Sequence, residues 1–327
     1  MAVGLYPECR GYQPERTKGG ADPGPRSHRW ITVGPAGVAP VAAGASLAGS
    51  ALPPSVTMAL PRTLLVIVGD ELLGGFTTDA NGALAARLLF EAGYPVCRIE
   101  VVGDTVDDIV ATLRRGIDDP VVTRVIVSGG IGPTPDDRTH EAVAAALGRH
   151  LVEDPDALRH ISAVVARMHA AGWVASPAPT AANRRMARMA AGGRILENRR
   201  GMAPPLALEL SPAPAGGGAA RSPAPWERWL FVLPGVPREF QAILEEVVIP
   251  EYFASSRGPA VVEVRHPGAI EADFAEPMRR LEQEFPDVTV GSYPQQPGRD
   301  LLIRLRGEDP ARVEAAAVRL GELRADG

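Results

Sequence analysis

Three short apolar runs, each followed by a segment of helical period, constrain the fold of this chain more than any other feature. The runs are 64–68 (LLVIV), 96–102 (VCRIEVV) and 121–127 (VVTRVIV). Such β-branched stretches suit strands covered on both faces. The first helix spans 81–92, with Leu84, Leu88 and Leu89 on one side and Gly93 as its stop. The second starts in a capping-box pattern at Thr105 to Asp108 and runs to Ile117, and the third spans 139–147. Parallel strands need crossovers of this kind, and the crossovers are right-handed. The order β-α-β-α-β-α therefore predicts an α/β protein with a doubly wound, mainly parallel sheet.

The remaining chain divides around that core. Residues 1–57 are rich in Pro, Gly, Ala and Ser without an apolar period, and read as a disordered tail or an over-extended start preceding Met58. Asp154 and Pro155 open a long helix to Ala171, and a further helix is expected over 180–189. Residues 206–210 and 229–233 look like a strand pair flanking a low-complexity insertion at 211–225, expected to be disordered and without chemistry. A helix over 238–249 ends at Pro250. Residues 256–327 form a small C-terminal α+β subdomain, with strands at 260–265, 288–292 and 301–305 and helices at 271–284 and 310–323. The expected main domain is 58–255.

Bulk properties remove several classes of function. The formal charge is −5 and aromatic residues make up 5% of the chain, so neither a phosphate-neutralising surface nor a base-stacking platform for nucleic acid is expected. No apolar run reaches the roughly 18 residues of a membrane helix. Cys9 and Cys97 form no metal-ligand pattern and fit free thiols in a reducing cytosol, which places the protein in the cytoplasm. Lys18 is the only lysine, so a Walker-type loop and Schiff-base chemistry are both excluded from the body of the chain.

Two loops carry the chemistry. Residues 128–139 (SGGIGPTPDDRT) follow a buried strand and precede a helix. Ser128, Gly129, Gly130, Gly132 and Thr134 could cradle a phosphate with exposed N–H groups. Asp136 and Asp137 then add carboxylates beside that anion, which calls for a divalent cation between them. The plainer alternative is a tight turn with Asp137 as a helix cap. Residues 69–75 (GDELLGG) place Asp70 and Glu71 at the carboxyl end of the first strand, where open α/β sheets bind ligands. If the first and third strands are neighbours, these acids share a crevice with Asp136. Asp79 and Asn81 could orient a ribose or simply cap the next helix. Gly235 sits in the rigid turn 234–237 (PGVP), and Arg238 after it could clamp a phosphate or make a surface ion pair. The six histidines form no cluster and read as surface or packing residues.

Taken together, GDELLGG at 69–75 with Asn81, SGGIGPTPDDRT at 128–139, NRRGMAPP at 198–205 and PGVPREF at 234–240 resemble, in order and spacing, the N-terminal region of the competence/damage-inducible protein A (CinA) family. That region contains a MoaB/Mog-like, molybdopterin-binding type of domain, and the likeness extends over about residues 62–255. Residues 291–294 (GSYP) resemble the small unit that follows, and the N-terminal domain of some FAD synthases is similar.

The resemblance implies a metal-dependent nucleotide pyrophosphohydrolase of the ADP-ribose type, releasing AMP with Mg²⁺, Mn²⁺ or Co²⁺. In that reading Asp136, Asp137 and Glu71 act in catalysis, Asp70 and Asp136 hold the metal, and the glycine loop, Asp79, Asn81, Gly235 and Arg238 hold the substrate. A molybdopterin-binding or molybdenum-cofactor protein, and a non-catalytic nucleotide-binding module, are the alternatives. The partner is thus a nucleotide-like or pterin small molecule, and a homo-oligomer is expected by analogy with the fold. Ile131 stands where Mog-like enzymes carry threonine, which weakens the adenylyltransferase reading, and Pro205 replaces a glycine of the family's GTAPG motif. Without room for an amidohydrolase domain after the subdomain, deamidation is not expected.

Overall fold

A computed structural model describes residues 28–32, 62–210, 227–253, 259–296 and 300–325. The chain divides into two compact units, one formed by residues 40–259 and the other by the remaining N-terminal residues with 260–327. The first described strand, β1 (His28–Thr32), belongs to the second of these.

The larger unit begins with β2 (Arg62–Val68), a one-turn helix α1 (Asp70–Leu73), α2 (Asn81–Glu91), β3 (Val96–Val102), α3 (Val106–Asp118), β4 (Val122–Ser128) and α4 (Thr139–Leu147). This is the alternation expected from the apolar runs. In β2, Leu64, Val66 and Val68 join the packed cluster on one face, and Leu65 joins the cluster on the other. Each such side chain gains about 1.5–3 kcal/mol from burial. Thr105 caps α3 by accepting from the Asp108 N–H, as its capping pattern anticipates.

The next segment departs from expectation. A short strand β5 (Leu151–Glu153) precedes α5 (Pro155–Ala170), whose N-cap is Asp154. The helix expected over 180–189 is only the five-residue α6 (Ala181–Arg185). Residues after it form β6 (Arg188–Ala190), antiparallel to β5. Met189 and Ala190 are buried against the core. Helical propensity there yields to strand pairing and burial, which the local pattern does not encode.

β7 (Arg194–Ile195), β8 (Leu206–Leu210) and β9 (Arg228–Leu233) complete a six-stranded sheet in the order β3-β2-β4-β9-β8-β7. β3, β2, β4 and β9 run parallel, and β8 is antiparallel to β9. β2 and β4 are therefore neighbours, as the crevice argument requires. The insertion read at 211–225, like most of residues 1–57, lies outside the described residues. Buried Arg124 and Arg228 lie towards the amino ends of β4 and β9 and donate to main-chain carbonyls, among them Tyr252 and Val122. The carboxyl ends form the opposite rim.

After β9, α7 (Pro237–Ile243) passes through a π-helical turn, Leu244–Val248, into α8 (Ile249–Tyr252). The sequence reading ends this helix at Pro250. The wider turn upstream accommodates the missing N–H, and the chain continues helical.

The smaller unit contains β10 (Ala260–Pro267), a 3₁₀ turn over Glu271–Phe274, α9 (Ala275–Glu284), β11 (Thr289–Gln296), β12 (Asp300–Gly307) and α10 (Pro310–Ala325). Its sheet order is β1-β10-β12-β11, with β1 parallel to β10 and the other pairs antiparallel. No tail strand at 28–32 is expected from the sequence, because its pairing partner lies more than 200 residues away. Among the described residues no helix is long and apolar enough to cross a membrane.

Candidate functional site

Four parallel strands end on one rim, and each delivers a loop to it. β2 leads into Gly69 and α1, β3 into Gly103-Asp104, β4 into the glycine loop, and β9 into Pro234-Gly235.

Asn81 ties three of these regions together. It is buried, and its Nδ2 donates to Ser128 Oγ at 3.0 Å and to the Gly235 carbonyl at 2.8 Å. Ser128 in turn donates to the Pro234 carbonyl at 3.2 Å. The buried Asn81 Oδ1 has no partner among the described residues. The expected phosphate contact from Ser128 is corrected here: its hydroxyl is buried and engaged as a clasp. Asp79 is likewise a cap, its carboxylate accepting the N–H groups of Asn81 at 2.9 Å and Gly82 at 3.0 Å.

The glycine loop requires its glycines. Gly129 has φ +105°, and a Cβ there would lie 2.3 Å from the Val68 carbonyl oxygen. Gly130 has φ +66°, with its would-be Cβ 2.3 Å from Thr139 Oγ1. Thr139 closes the loop by donating from its hydroxyl to the Gly129 carbonyl at 2.8 Å and from its N–H to the Gly130 carbonyl at 3.0 Å. Among the described residues the N–H groups of Gly130, Ile131 and Gly132 meet no protein acceptor. Such a run of free donors in a tight turn suits an anion.

The two acids of the loop differ. Asp137 faces inward and accepts from the Thr134 N–H at 2.8 Å and from the Thr134 hydroxyl. Its Oδ2 braces the loop. Asp136 is exposed. The Thr134 hydroxyl first, then nearby peptide hydrogens and Arg185, hold its carboxyl below the usual carboxylate range. His140, just beyond, is buried, and neither ring nitrogen is bonded among the described residues. Burial lowers its pKa to about 4 against the opposing pull of Asp137.

The residue that joins the two acidic turns is Asp104, which the sequence reading passes over. Its Oδ2 accepts the Asp70 N–H at 2.9 Å, and its own N–H donates to Asp70 Oδ1 at 3.3 Å. Gly103 permits this approach, since a Cβ there would lie 2.4 Å from Asp70 Oδ1. Burial raises the Asp104 pKa first; the carboxylates of Asp70, Glu71 and Asp136 raise it further. Asp70, Glu71 and Asp136 thus act on one common neighbour. The signal was present: Asp104 follows a parallel strand, as Asp70 does.

Among the described residues no three acidic, histidine or cysteine side chains converge to ligand distance. The donor chemistry of the rim is carboxylate oxygen, under mutual repulsion that a cation would relieve. That fits Mg²⁺ or Mn²⁺ held by one or two carboxylates with most of its waters retained.

The remaining motif residues brace the rim from below. Asn198 is buried and donates to Glu239 Oε2 at 2.7 Å and to the Ala203 carbonyl at 2.9 Å, while its Oδ1 accepts from Arg200 and Gly201. This fastens the 198–205 loop to the start of α7. Arg238, on the same helix, is exposed and has no partner among the described residues.

Comparison with known proteins follows these motifs. Residues 64–253 match the family described as "Probable molybdopterin binding domain", and residues 267–326 match the "FAD synthase, middle domain". Protein TK1472 of Thermococcus kodakarensis is 38% identical over 190 residues, covering 57% of this chain and 68% of that protein. A CinA-like protein of Myxococcus xanthus is 35% identical over 262 residues, covering 78% of this chain and 56% of that protein. Among solved structures, the protein CinA of unknown function from Thermoplasma acidophilum is 31% identical, with a TM-score of 0.47, covering 59% of this chain and 98% of that one. With a family match across more than half its length, the chain belongs to the MoaB/Mog-type molybdopterin-binding domain family and is similar to its CinA-like members.

Proposed function

We propose that the rim hydrolyses a nucleotide phosphoanhydride of the ADP-ribose type, releasing AMP and ribose 5-phosphate. The observation that carries this reading is the reciprocal hydrogen-bonded pair of Asp70 and Asp104, on which the charges of Glu71 and Asp136 also act, beside free N–H donors of the glycine loop.

In this reading Asp70, Asp104 and Asp136 are the residues whose carboxylates would hold a divalent cation. When bound, it would polarise the diphosphate and ease deprotonation of a water. The N–H groups of Gly130 to Gly132 hold the negative phosphoryl oxygens and stabilise charge that builds on them. Asp136, kept ionised and exposed, accepts a proton from the attacking water, with Glu71 as the neighbouring acid. The water oxygen bonds to phosphorus, the bridging P–O bond breaks, and the bridging oxygen leaves on the second phosphate.

The test is AMP release from ADP-ribose with Mg²⁺, Mn²⁺ or Co²⁺, and its loss in Asp136→Ala and Asp104→Asn. No turnover across a panel of dinucleotides and ADP-sugars would remove the reading. Binding without turnover under any metal would select a ligand-binding module instead.

The family match to a molybdopterin-binding domain supports a second reading, a pterin ligand in the same crevice. Ile131, at the position where Mog-like enzymes carry threonine, is buried in the apolar core and offers no hydroxyl. This second reading therefore extends to pterin binding and not to adenylyl transfer. Tight molybdopterin binding with no ADP-ribose affinity would select it.

A further inference from the structure

The six-stranded sheet has two unequal edges. One is the two-residue β7, and the other is the seven-residue β3. Among the described residues no strand pairs with the outer side of β3. The Val102 carbonyl accepts the Gly69 N–H at 3.0 Å, so the main-chain groups of Val102 face β2. Alternation along the strand turns those of Glu100 and Arg98 towards β2 as well, and those of Val101 and Ile99 outward. A long open edge is a template for a further strand unless something blunts it.

The side chains at this edge do not blunt it. Ile99 and Val101 are exposed, in register with Leu65 and Ile67 of β2. Ile99 lies against the first turn of α2, with its Cγ2 3.4 Å from where a Cβ on Gly82 would stand. Leu73 Cδ1 comes within 3.7 Å of the equivalent point on Gly103, just past the end of β3. Leu73 and Phe76 are 59% and 87% exposed. Four exposed apolar side chains thus lie along β3, α1 and the turn after it, a grouping that marks an interaction surface.

The charged residues of the edge are of opposite sign and two apart. Glu100 pairs with Arg98 at 3.2 Å and with Arg115 at 2.7 Å. An edge of one sign would repel a second copy of itself, whereas this one complements it. In an antiparallel self-pair centred on Ile99, Arg98 of each copy stands directly opposite Glu100 of the other. These are the non-hydrogen-bonded positions, where side chains approach most closely. Ile99 meets its own counterpart, and its outward N–H and C=O exchange hydrogen bonds with it. Centring one residue further along would set Glu100 against Glu100.

We propose that β3 is a two-fold docking strand: a second copy of this chain adds to it antiparallel about Ile99, with Leu73 and Phe76 beside the joint. A two-fold interface uses one patch twice, and the spacing of Arg98 and Glu100 makes this patch complementary to itself. The inference stands on the open edge and its charges, and is independent of what the rim binds.

The test is the oligomeric state of the full chain by sedimentation equilibrium over a concentration series, together with an engineered cross-link. In a Cys9→Ser, Cys97→Ser background, Ile99→Cys is expected to form an intermolecular disulfide on mild oxidation. Opposed hydrogen-bonded residues have Cα atoms about 5.5 Å apart, within disulfide reach. Val152→Cys, similarly exposed on β5, is the control and stays uncross-linked. Ile99→Lys sets two like charges on the axis and should weaken the dimer by roughly tenfold or more. Arg98→Glu alone should also weaken it, and mixing Arg98→Glu with Glu100→Arg should restore a mixed dimer, since every opposed pair is then of opposite sign. Should Glu100→Arg fail to fold for want of its pairing with Arg115, the Ile99 variants decide. A monomer at all concentrations overturns the inference. A dimer that Ile99→Lys leaves intact, or in which Ile99→Cys does not cross-link, overturns it as well. Protection of the Ile99 and Val101 amides from hydrogen exchange in a monomer gives the edge to another segment of the same chain, and equally overturns it.

Discussion

Asp70 and Asp104 each accept the peptide hydrogen of the other, across 34 residues of sequence and the ends of two adjacent parallel strands. This reciprocal pair fixes one acid turn against the next and leaves the second oxygen of each carboxylate to face other partners. The repulsion it sustains, with Glu71 and Asp136 also acting on Asp104, adds to burial in raising the Asp104 pKa.

Replacing Asp104 by Asn relieves that repulsion and removes a carboxylate of the proposed cation site. We expect Mn²⁺ affinity, followed by paramagnetic relaxation of water, to fall by roughly tenfold, and AMP release to fall with it. The folded protein should not lose stability at neutral pH. Its raised pKa means that the ionised form is disfavoured in the native state, a penalty present above the native pKa and relieved as pH falls through it.

Asn81→Ala would leave Ser128 Oγ and the Gly235 carbonyl without their shared donor. We expect a loss of about 1–3 kcal/mol in urea unfolding, and faster hydrogen exchange in both loops. Unchanged exchange at residues 128–130 would show that the clasp does not hold the loop.

Glycines 75 and 129 separate strain from space. Gly129→Ala combines φ +105° with a main-chain overlap at 2.3 Å and should cost on the order of 3 kcal/mol or more, with displacement of the loop. Gly75→Ala, at φ +70° but with open space around the added methyl, should cost about 1 kcal/mol. Thermal unfolding of the pair checks the ordering.

Buried His140 predicts acid lability. Its native pKa of about 4 lies below the ordinary histidine value of 6.5, so the unfolded chain takes up the proton first. Stability is retained above pH 6.5 and falls as pH drops from there towards 4, by up to about 3 kcal/mol from this group. His140→Phe should flatten that slope in urea denaturations at pH 7 and 4.5. An unaltered slope would assign the acid sensitivity elsewhere.

The sequence made the parallel core legible because its cues are local and repeated. Leu64 to Val68, Val96 to Val102 and their helices appear within a residue or two of expectation. It was less informative where pairing overrides local preference, as at Met189, which lies in a strand, and at Pro250, which lies within a helix that continues past it. At the site, the glycine loop and Asp70 were readable from their places after buried strands. Asp104 obeyed the same rule but lacked a motif around it. Ser128, Asp79 and Asp137 carried the right chemistry for ligand contact and proved to be engaged by neighbouring protein groups.

The sequence by itself determined the alternation of strands and helices, the excluded chemistries and the positions of the acids and glycines, because period, turn chemistry and residue type act over a few neighbours. Only the tertiary structure decided which polar groups remain available. The availability of Asp136 and the engagement of Asp137 depend on atoms brought together by the fold. Hydrogen bonds and desolvation act at contact range in space, and a linear pattern does not contain those contacts.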